Sequence, residues 1–205
     1  MKIVKIFGGL DMGDLKLNDV LRKLKERHEV EWKSVEGEFM EKVDEIRNLV
    51  IEKVKKGALF TEEDAEKILN LSKNVPEGSK FLLRYIGSVG SDKKQVIVNL
   101  LSNEYFSKLI EALENEKHED IKALAEKIIQ STYNVKYTTL TTWLAIFKPD
   151  LFMPVWGFEK EKGTLPQDLL KRFGELNKFK RWWDLRVDEF FDLLRILKTT
   201  ANSVG

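Results

Sequence analysis

Apolar residues return every three or four positions from Val35 through Phe39, Val43, Ile46, Val50 and Val54. That period predicts an amphipathic helix, with Ser34 as its N-cap and Gly57 at its C-terminal end. Thr61-Glu62-Glu63-Asp64 is a second helix start, close to a capping box but with Asp where Glu is usual. Its helix carries Ala65, Ile68 and Leu69 toward a turn at Pro76-Glu77-Gly78. The short apolar run Phe81 to Ile86 reads as helical and breaks at Gly87-Ser88-Val89-Gly90-Ser91. From Asp92 the pattern resumes with Val96, Ile97, Leu100 and Leu101. Asn103 then caps a helix holding Phe106, Leu109, Ile110 and Leu113, and another follows with Ile121, Leu124, Ala125, Ile128 and Ile129. A compact stretch from Thr138 to Phe147 stops at Pro149, and Leu151 to Trp156 is extended or irregular because of Pro149 and Pro154. Beyond a Gly- and charge-rich loop, Gly157 to Pro166, two last helices are expected near 167–173 and 187–198.

The N-terminus follows another rhythm. Lys2 to Phe7 is a β-branched run ending in Gly8-Gly9, and Val30 to Trp32 is a candidate partner strand. Leu17, Val20, Leu21 and Leu24 between them have helical spacing. The expected fold is therefore mainly α, a multi-helix bundle with a minor N-terminal β element. Residues 1–33 would form a small α/β cap, 34–199 a helical domain, and 200–205 a small, polar linker. No fixed-period repeat or low-complexity segment interrupts this plan.

Composition narrows the chemistry more than it names it. A chain of 205 residues can bury a core without disulfides or metals, and this one has no cysteine. Disulfides, thiolate zinc sites and a cysteine nucleophile are thereby excluded. With two histidines, His28 and His118, a histidine-rich metal site is excluded too, and no cofactor is expected. Charged residues reach 34%, mostly Lys and Glu, a balance common in proteins from hot environments, where desolvating ion pairs costs less. No apolar run approaches the roughly 18 to 20 residues that span a bilayer, and Met1 to Leu10 is too short and interrupted for a secretory signal. A cytoplasmic protein without a membrane partner is the expectation. Net charge is only +1, so attraction to nucleic acid must come from a local patch.

Three motifs favour bland readings. The loop Gly87 to Lys94 presents glycines, two serines and two lysines before a helix, as a phosphate cradle would. It lacks P-loop spacing and follows no clear strand, so an ordinary connection is favoured. Glu62, Glu63, Asp64 and Glu66 sit in or beside a first helical turn, where the dipole favours acids. His28 and His118 have no ligand or triad partner at motif spacing and read as surface residues. No catalytic residue is proposed.

Two segments hold the interest. Lys171 to Arg186 carries Lys171, Arg172, Lys178, Lys180, Arg181 and Arg186 against only Glu175 and Asp184. Phe173, Phe179, Trp182 and Trp183 are interleaved with these cations. Lysine and arginine neutralise phosphates, and aromatic rings stack on exposed or extruded bases. The plainer alternative makes the aromatics core anchors, although adjacent tryptophans cannot both face one core from a regular helix. The second segment, Tyr137 to Trp156, places Trp143 and Phe147 on one helix face and adds Phe152 and Trp156 as a candidate aromatic wall. Core packing is the favoured reading there. Trp143 and Trp156 remain candidates, with Trp182 and Trp183, for base stacking or a flipped-base pocket.

Lys148-Pro149-Asp150-Leu151-Phe152-Met153-Pro154-Val155-Trp156, following an apolar helix, resembles an element in the N-terminal regions of McrB-type restriction GTPases and related AAA+ proteins. Asp188 to Arg195 is similar to the segment leading from such a region to the motor. The resemblance spans about Thr138 to Lys198 and includes no Walker A motif. It implies a targeting module for modified DNA, joined to a nucleotide-hydrolysing motor domain or subunit on its C-terminal side. Such modules have several unrelated folds, so no functional residue transfers. The leading expectation is a DNA-binding module, base-modified DNA being among its candidate targets. A helical protein-interaction or oligomerisation module is the alternative. A nucleic-acid repair enzyme such as a glycosylase ranks third, for want of a lysine-aspartate pair on a helix-hairpin-helix motif.

Overall fold

A computed structural model describes residues 33, 35–80, 82–87, 92–149 and 152. Among them are six α-helices, one 3-10 turn and no strand: α1 Glu36–Lys55, α2 Glu62–Lys73, the 3-10 turn Glu77–Ser79, α3 Lys93–Leu101, α4 Glu104–Glu114, α5 His118–Ser131 and α6 Tyr137–Phe147. The mainly helical bundle is thus present. The N-terminal cap expected over 1–33, Lys33 apart, and the helices expected near 167–173 and 187–198 lie outside the described residues.

Local chemistry fixes where these helices begin and end. α1 starts at Glu36 with Val35 in the N-cap position and no side-chain cap; Ser34 lies outside the described residues. Its end is a Schellman turn. Gly57 sits at φ 60°, its N–H donates to the Val54 carbonyl at 3.0 Å, and the Ala58 N–H donates to Lys53 at 3.0 Å. α2 opens on the complete capping box that the sequence predicts. The Asp64 carboxylate accepts from the Thr61 N–H at 2.8 Å, while the Thr61 hydroxyl oxygen accepts from the Asp64 N–H at 3.4 Å. Asn103 caps α4 by accepting from the Tyr105 N–H at 2.9 Å. The run through 82–87 differs from expectation: it is a series of turns, closed by Leu82 to Ser79 and Ile86 to Leu83 hydrogen bonds. Each closes over three residues, and the chain bends where a helix would have carried it straight on.

α4 and α5 are the most extensively packed pair. The Asn103 side-chain amide donates to the Ser131 and Thr132 hydroxyls at 2.9 and 2.8 Å, so the start of α4 meets the end of α5 and the two run antiparallel. α2 packs on α3, and α1 contacts both α2 and α6. The core is continuous across all of them. α6 is buried on nearly every side, Thr138 to Leu144 and Ile146 included, and so acts as the central helix. Two of its threonine hydroxyls bond locally: Thr141 and Thr142 both donate to the Thr138 carbonyl, at 3.2 and 2.9 Å. Arg47 ties α1 to α6, its Nε donating to the Ile146 carbonyl at 2.7 Å and its Nη1 to Asp44 at 2.6 Å.

Candidate nucleic-acid interface

Most of the residues that the sequence nominates lie outside the described part of the chain. Lys171, Arg172, Lys178, Lys180, Arg181 and Arg186 do, and so do Trp156, Trp182 and Trp183. Trp143 is described, and its place corrects its candidacy for base stacking. It is 0% exposed, the bulkiest fully buried side chain of the core. Its ring lies edge-on to Phe106 at 6.0 Å and stacked with Phe147 at 6.3 Å, so the shared face with Phe147 is real but points inward. The indole N–H donates to the Ile86 carbonyl at 2.9 Å. A ring so enclosed has no face left for a base. Its work is to hold the 82–87 turn from below.

The glycine loop also resolves into packing. A Cβ on Gly87 would stand 2.8 Å from the Lys93 Cβ and 2.9 Å from the Lys93 carbonyl oxygen, closer than atoms tolerate. Gly87 is therefore needed where the turn presses against the first residue of α3. The α3 N-terminus is already capped: Asp92 accepts from the Lys94 N–H at 3.0 Å and the Gln95 N–H at 3.4 Å. A phosphate seated on those amides would have to displace a carboxylate, which argues against the cradle reading. Residues 88–91 lie outside the described part.

What the turn does create is a cleft of about 210 Å³ between α2, the 82–87 turn and α3. Leu69, Ser72, Leu83 and Ile86 are buried and make its floor. Lys73, Lys80, Arg84 and Lys93 stand exposed around it, and no acid is among the described residues that line it. Lys80 is paired with Glu77 at 2.5 Å, and that hydrogen bond holds the Glu77 carboxyl below its ordinary value. Arg84 lies 5.6 Å from the Tyr85 ring centre. Among the described residues Lys73, Arg84 and Lys93 are in no salt bridge, although Lys73 adds to the field that lowers Glu66. These four cations converge from three segments spread over 21 positions, with Glu77 and Asp92 interspersed, so no run of charge marks them in the sequence. Only the bend at 82–87 and the missing side chain of Gly87 bring them together.

A second groove, about 290 Å³, runs between α4 and α5 and is lined by Lys108, Lys117 and Lys127 together with Glu111 and Asp120. Lys108 and Lys127 lie 5.6 and 5.3 Å from the Tyr105 ring centre. Tyr105 itself is held above its ordinary pKa by a hydrogen bond to Glu104. A third cleft, about 260 Å³, is largely apolar, with Phe39, Met40, Leu82, Ile146 and Phe152 in its wall.

The acids at the start of α2 keep the structural role that the sequence gives them. Burial pushes Asp64 upward, but hydrogen bonds from Lys53 and from the Thr61 N–H and hydroxyl outweigh it, and the carboxyl lies below its ordinary value. Glu66 is lowered by a hydrogen bond from Lys94 on α3, 2.8 Å away. His118 is exposed at the first position of α5; His28 lies outside the described residues. Among the described residues no three His, Cys, Asp or Glu side chains are grouped to hold a metal ion, and no helix is long and apolar enough to cross a membrane. In comparisons with known proteins, the chain matches no family model, no curated protein and no solved structure.

Proposed function

We propose that this chain is a DNA-binding targeting module, the N-terminal part of a larger, nucleotide-driven restriction-type assembly. The observation that carries the reading is segregation of charge in a chain whose net charge is only +1. Six cations stand against two acids between Lys171 and Arg186, and four cations line the α2–α3 cleft. Elsewhere on the described surface both signs are interspersed, and some are spent in local pairs, as in Lys42–Glu45, Lys56–Glu52 and Lys122–Glu119. Concentrated cations release counterions when they meet phosphates, and that gain is largest on a polyanion. The link to a motor on the C-terminal side, and to base-modified DNA as target, rests on the resemblance of 138–198 to McrB-type proteins.

Fluorescence anisotropy on plain and base-modified DNAs, single- and double-stranded, at two salt concentrations tests the proposal. Salt-sensitive binding is expected, with a preference for one modified duplex. Lys180→Ala with Arg181→Ala should weaken binding across all sequences and reduce the salt slope by about two, one for each cation removed. Absence of binding at low salt would remove nucleic acid as the ligand.

A further inference from the structure

We propose that the cleft formed by Lys73, Lys80, Arg84 and Lys93 is a phosphate-binding site. The ligand chemistry is that of closely spaced phosphates, in a nucleic-acid backbone or in a free polyphosphate. Choosing the backbone as source rests on the proposed function; the site itself does not.

Three features separate this cleft from an ordinary lysine-bearing surface. The charge is of one sign, since the described lining holds four cations and no acid. Its floor is apolar, Leu83 at 4% and Ile86 at 1% exposure, so the cations stand over a low-dielectric base that strengthens their joint field. And its walls are held in place from two sides. The Trp143 indole fixes the Ile86 carbonyl from the core, while Gly87 lets the turn close on Lys93. Side chains on such walls lose less freedom on meeting a ligand than lysines on a frayed loop. Arg84 supplies a planar fork suited to two oxygens of one phosphate, and the lysines supply point charges beside it. Glu77 is a built-in competitor: its bond to Lys80 must be exchanged for the ligand, so three cations are available at once and the fourth on displacement. The volume, about 210 Å³, accommodates phosphates more readily than a base with its sugar, so the cleft anchors a strand without reading its sequence.

The test compares two triple variants of the full chain, matched in lost charge. One is Lys73→Ala with Arg84→Ala and Lys93→Ala; the other is Lys108→Ala with Lys117→Ala and Lys127→Ala, from the α4–α5 groove. All six positions are on the surface, and circular dichroism checks that both variants fold. Each is titrated with inorganic tripolyphosphate by calorimetry and with a 20-base-pair duplex by anisotropy across salt. The expected result is that the cleft variant loses about tenfold or more in affinity for both probes, and about three in salt slope, while the groove variant stays within a few-fold of the parent. If the parent binds tripolyphosphate through the cleft but no DNA, the site stands with a free polyphosphate as its source, and the proposed function falls. If DNA binds and the cleft variant is unaffected, the site is wrong and the proposed function survives through other residues. Equal losses in the two variants would reduce the effect to net charge and overturn the site, as would a parent that binds neither probe.

Discussion

The α2–α3 cleft and the α4–α5 groove are similar in size and nearly equal in number of cations, yet they are different surfaces. In the groove, Lys108, Lys117 and Lys127 share the wall with Glu111 and Asp120. The period of a helix distributes both signs along one face there, and an approaching anion meets repulsion close to every attraction. In the cleft, Glu77 holds Lys80, but the other neighbouring acids are turned to other tasks. Glu66 binds Lys94, Asp92 caps α3 and Asp64 caps α2, each outside the described lining. The difference teaches that counting lysines does not locate a polyanion site. What matters is whether local structure has given the nearby carboxylates other partners.

Trp143 gives the largest expected effect. Trp143→Ala removes the bulkiest fully buried side chain of the described core and should cost about 3–5 kcal/mol, lowering the thermal midpoint and loosening cleft and groove together, because Phe106 on α4 loses one of its two partner rings. Trp143→Phe is the sharper instrument. It keeps an aromatic ring against Phe106 but leaves the buried Ile86 carbonyl without its donor, a loss of about 1–3 kcal/mol. Hydrogen exchange should then rise in the 82–87 turn and at the start of α3, with α4 and α5 changed little. Equal loosening of both regions would mean that the indole N–H does not hold the cleft wall.

Gly87→Ala comes next. With 2.8 Å to the Lys93 Cβ and 2.9 Å to a backbone oxygen, the added methyl must push the turn and α3 apart, at about 1–3 kcal/mol. Gly87 has no positive φ, so the penalty is one of close approach and not of backbone conformation. Tripolyphosphate affinity should fall several-fold because Arg84 and Lys93 separate, while hydrogen exchange in α4 and α5 stays as in the parent. Unchanged affinity would show that the cleft tolerates a wider spacing than its present geometry suggests.

These residues also mark how far the sequence could be read. Most helix boundaries set by contacts within five residues were legible: Gly57, the Thr61–Asp64 box and the Asn103 cap stand where the sequence places them, whereas the N-cap expected at Ser34 falls on Val35. The run through 82–86 was not. Its apolar composition suits a helix, but 3-10 closure after Pro76 and the anchoring of Ile86 by Trp143, 57 positions away, decide against one. The glycine at 87 reads as loop chemistry until the backbone of Lys93 is found beside it. The cleft was illegible for the same reason, since its members become neighbours only through tertiary contacts. For Trp143 the sequence offered a core and a stacking role, and burial alone selects the first. The segment 171–186, the clearest signal in the sequence, lies outside the described residues.

The smallest expected effect concerns acid, and it too divides the two regions. The cleft side is anchored through an ionised group: Asp64 caps α2 and bonds Lys53 of α1, and its folded carboxyl is lowered relative to an unfolded one. A lowered carboxyl contributes stability that is fully present above its unfolded value of about 4 and is lost as pH falls through the lower, folded value. The α4–α5 pair is anchored by neutral groups, Asn103 on Ser131 and Thr132, which have no proton to gain in that range. On acidification below about pH 4, protection of the Ala65 amide, which donates to the Thr61 carbonyl at 3.1 Å, should therefore fall before that of the Phe106 amide on Asn103 at 2.9 Å. Asp64→Asn should lower Ala65 protection at neutral pH and abolish much of its further loss in acid. Because Glu66 and Glu77 are also lowered by their lysines, some acid sensitivity should persist on the cleft side in that variant, and Glu66→Gln would then remove the part that comes from the Lys94 bridge. Parallel loss of both amides in the parent would place the acid-sensitive bond elsewhere and erase the contrast between an ionic and a neutral corner.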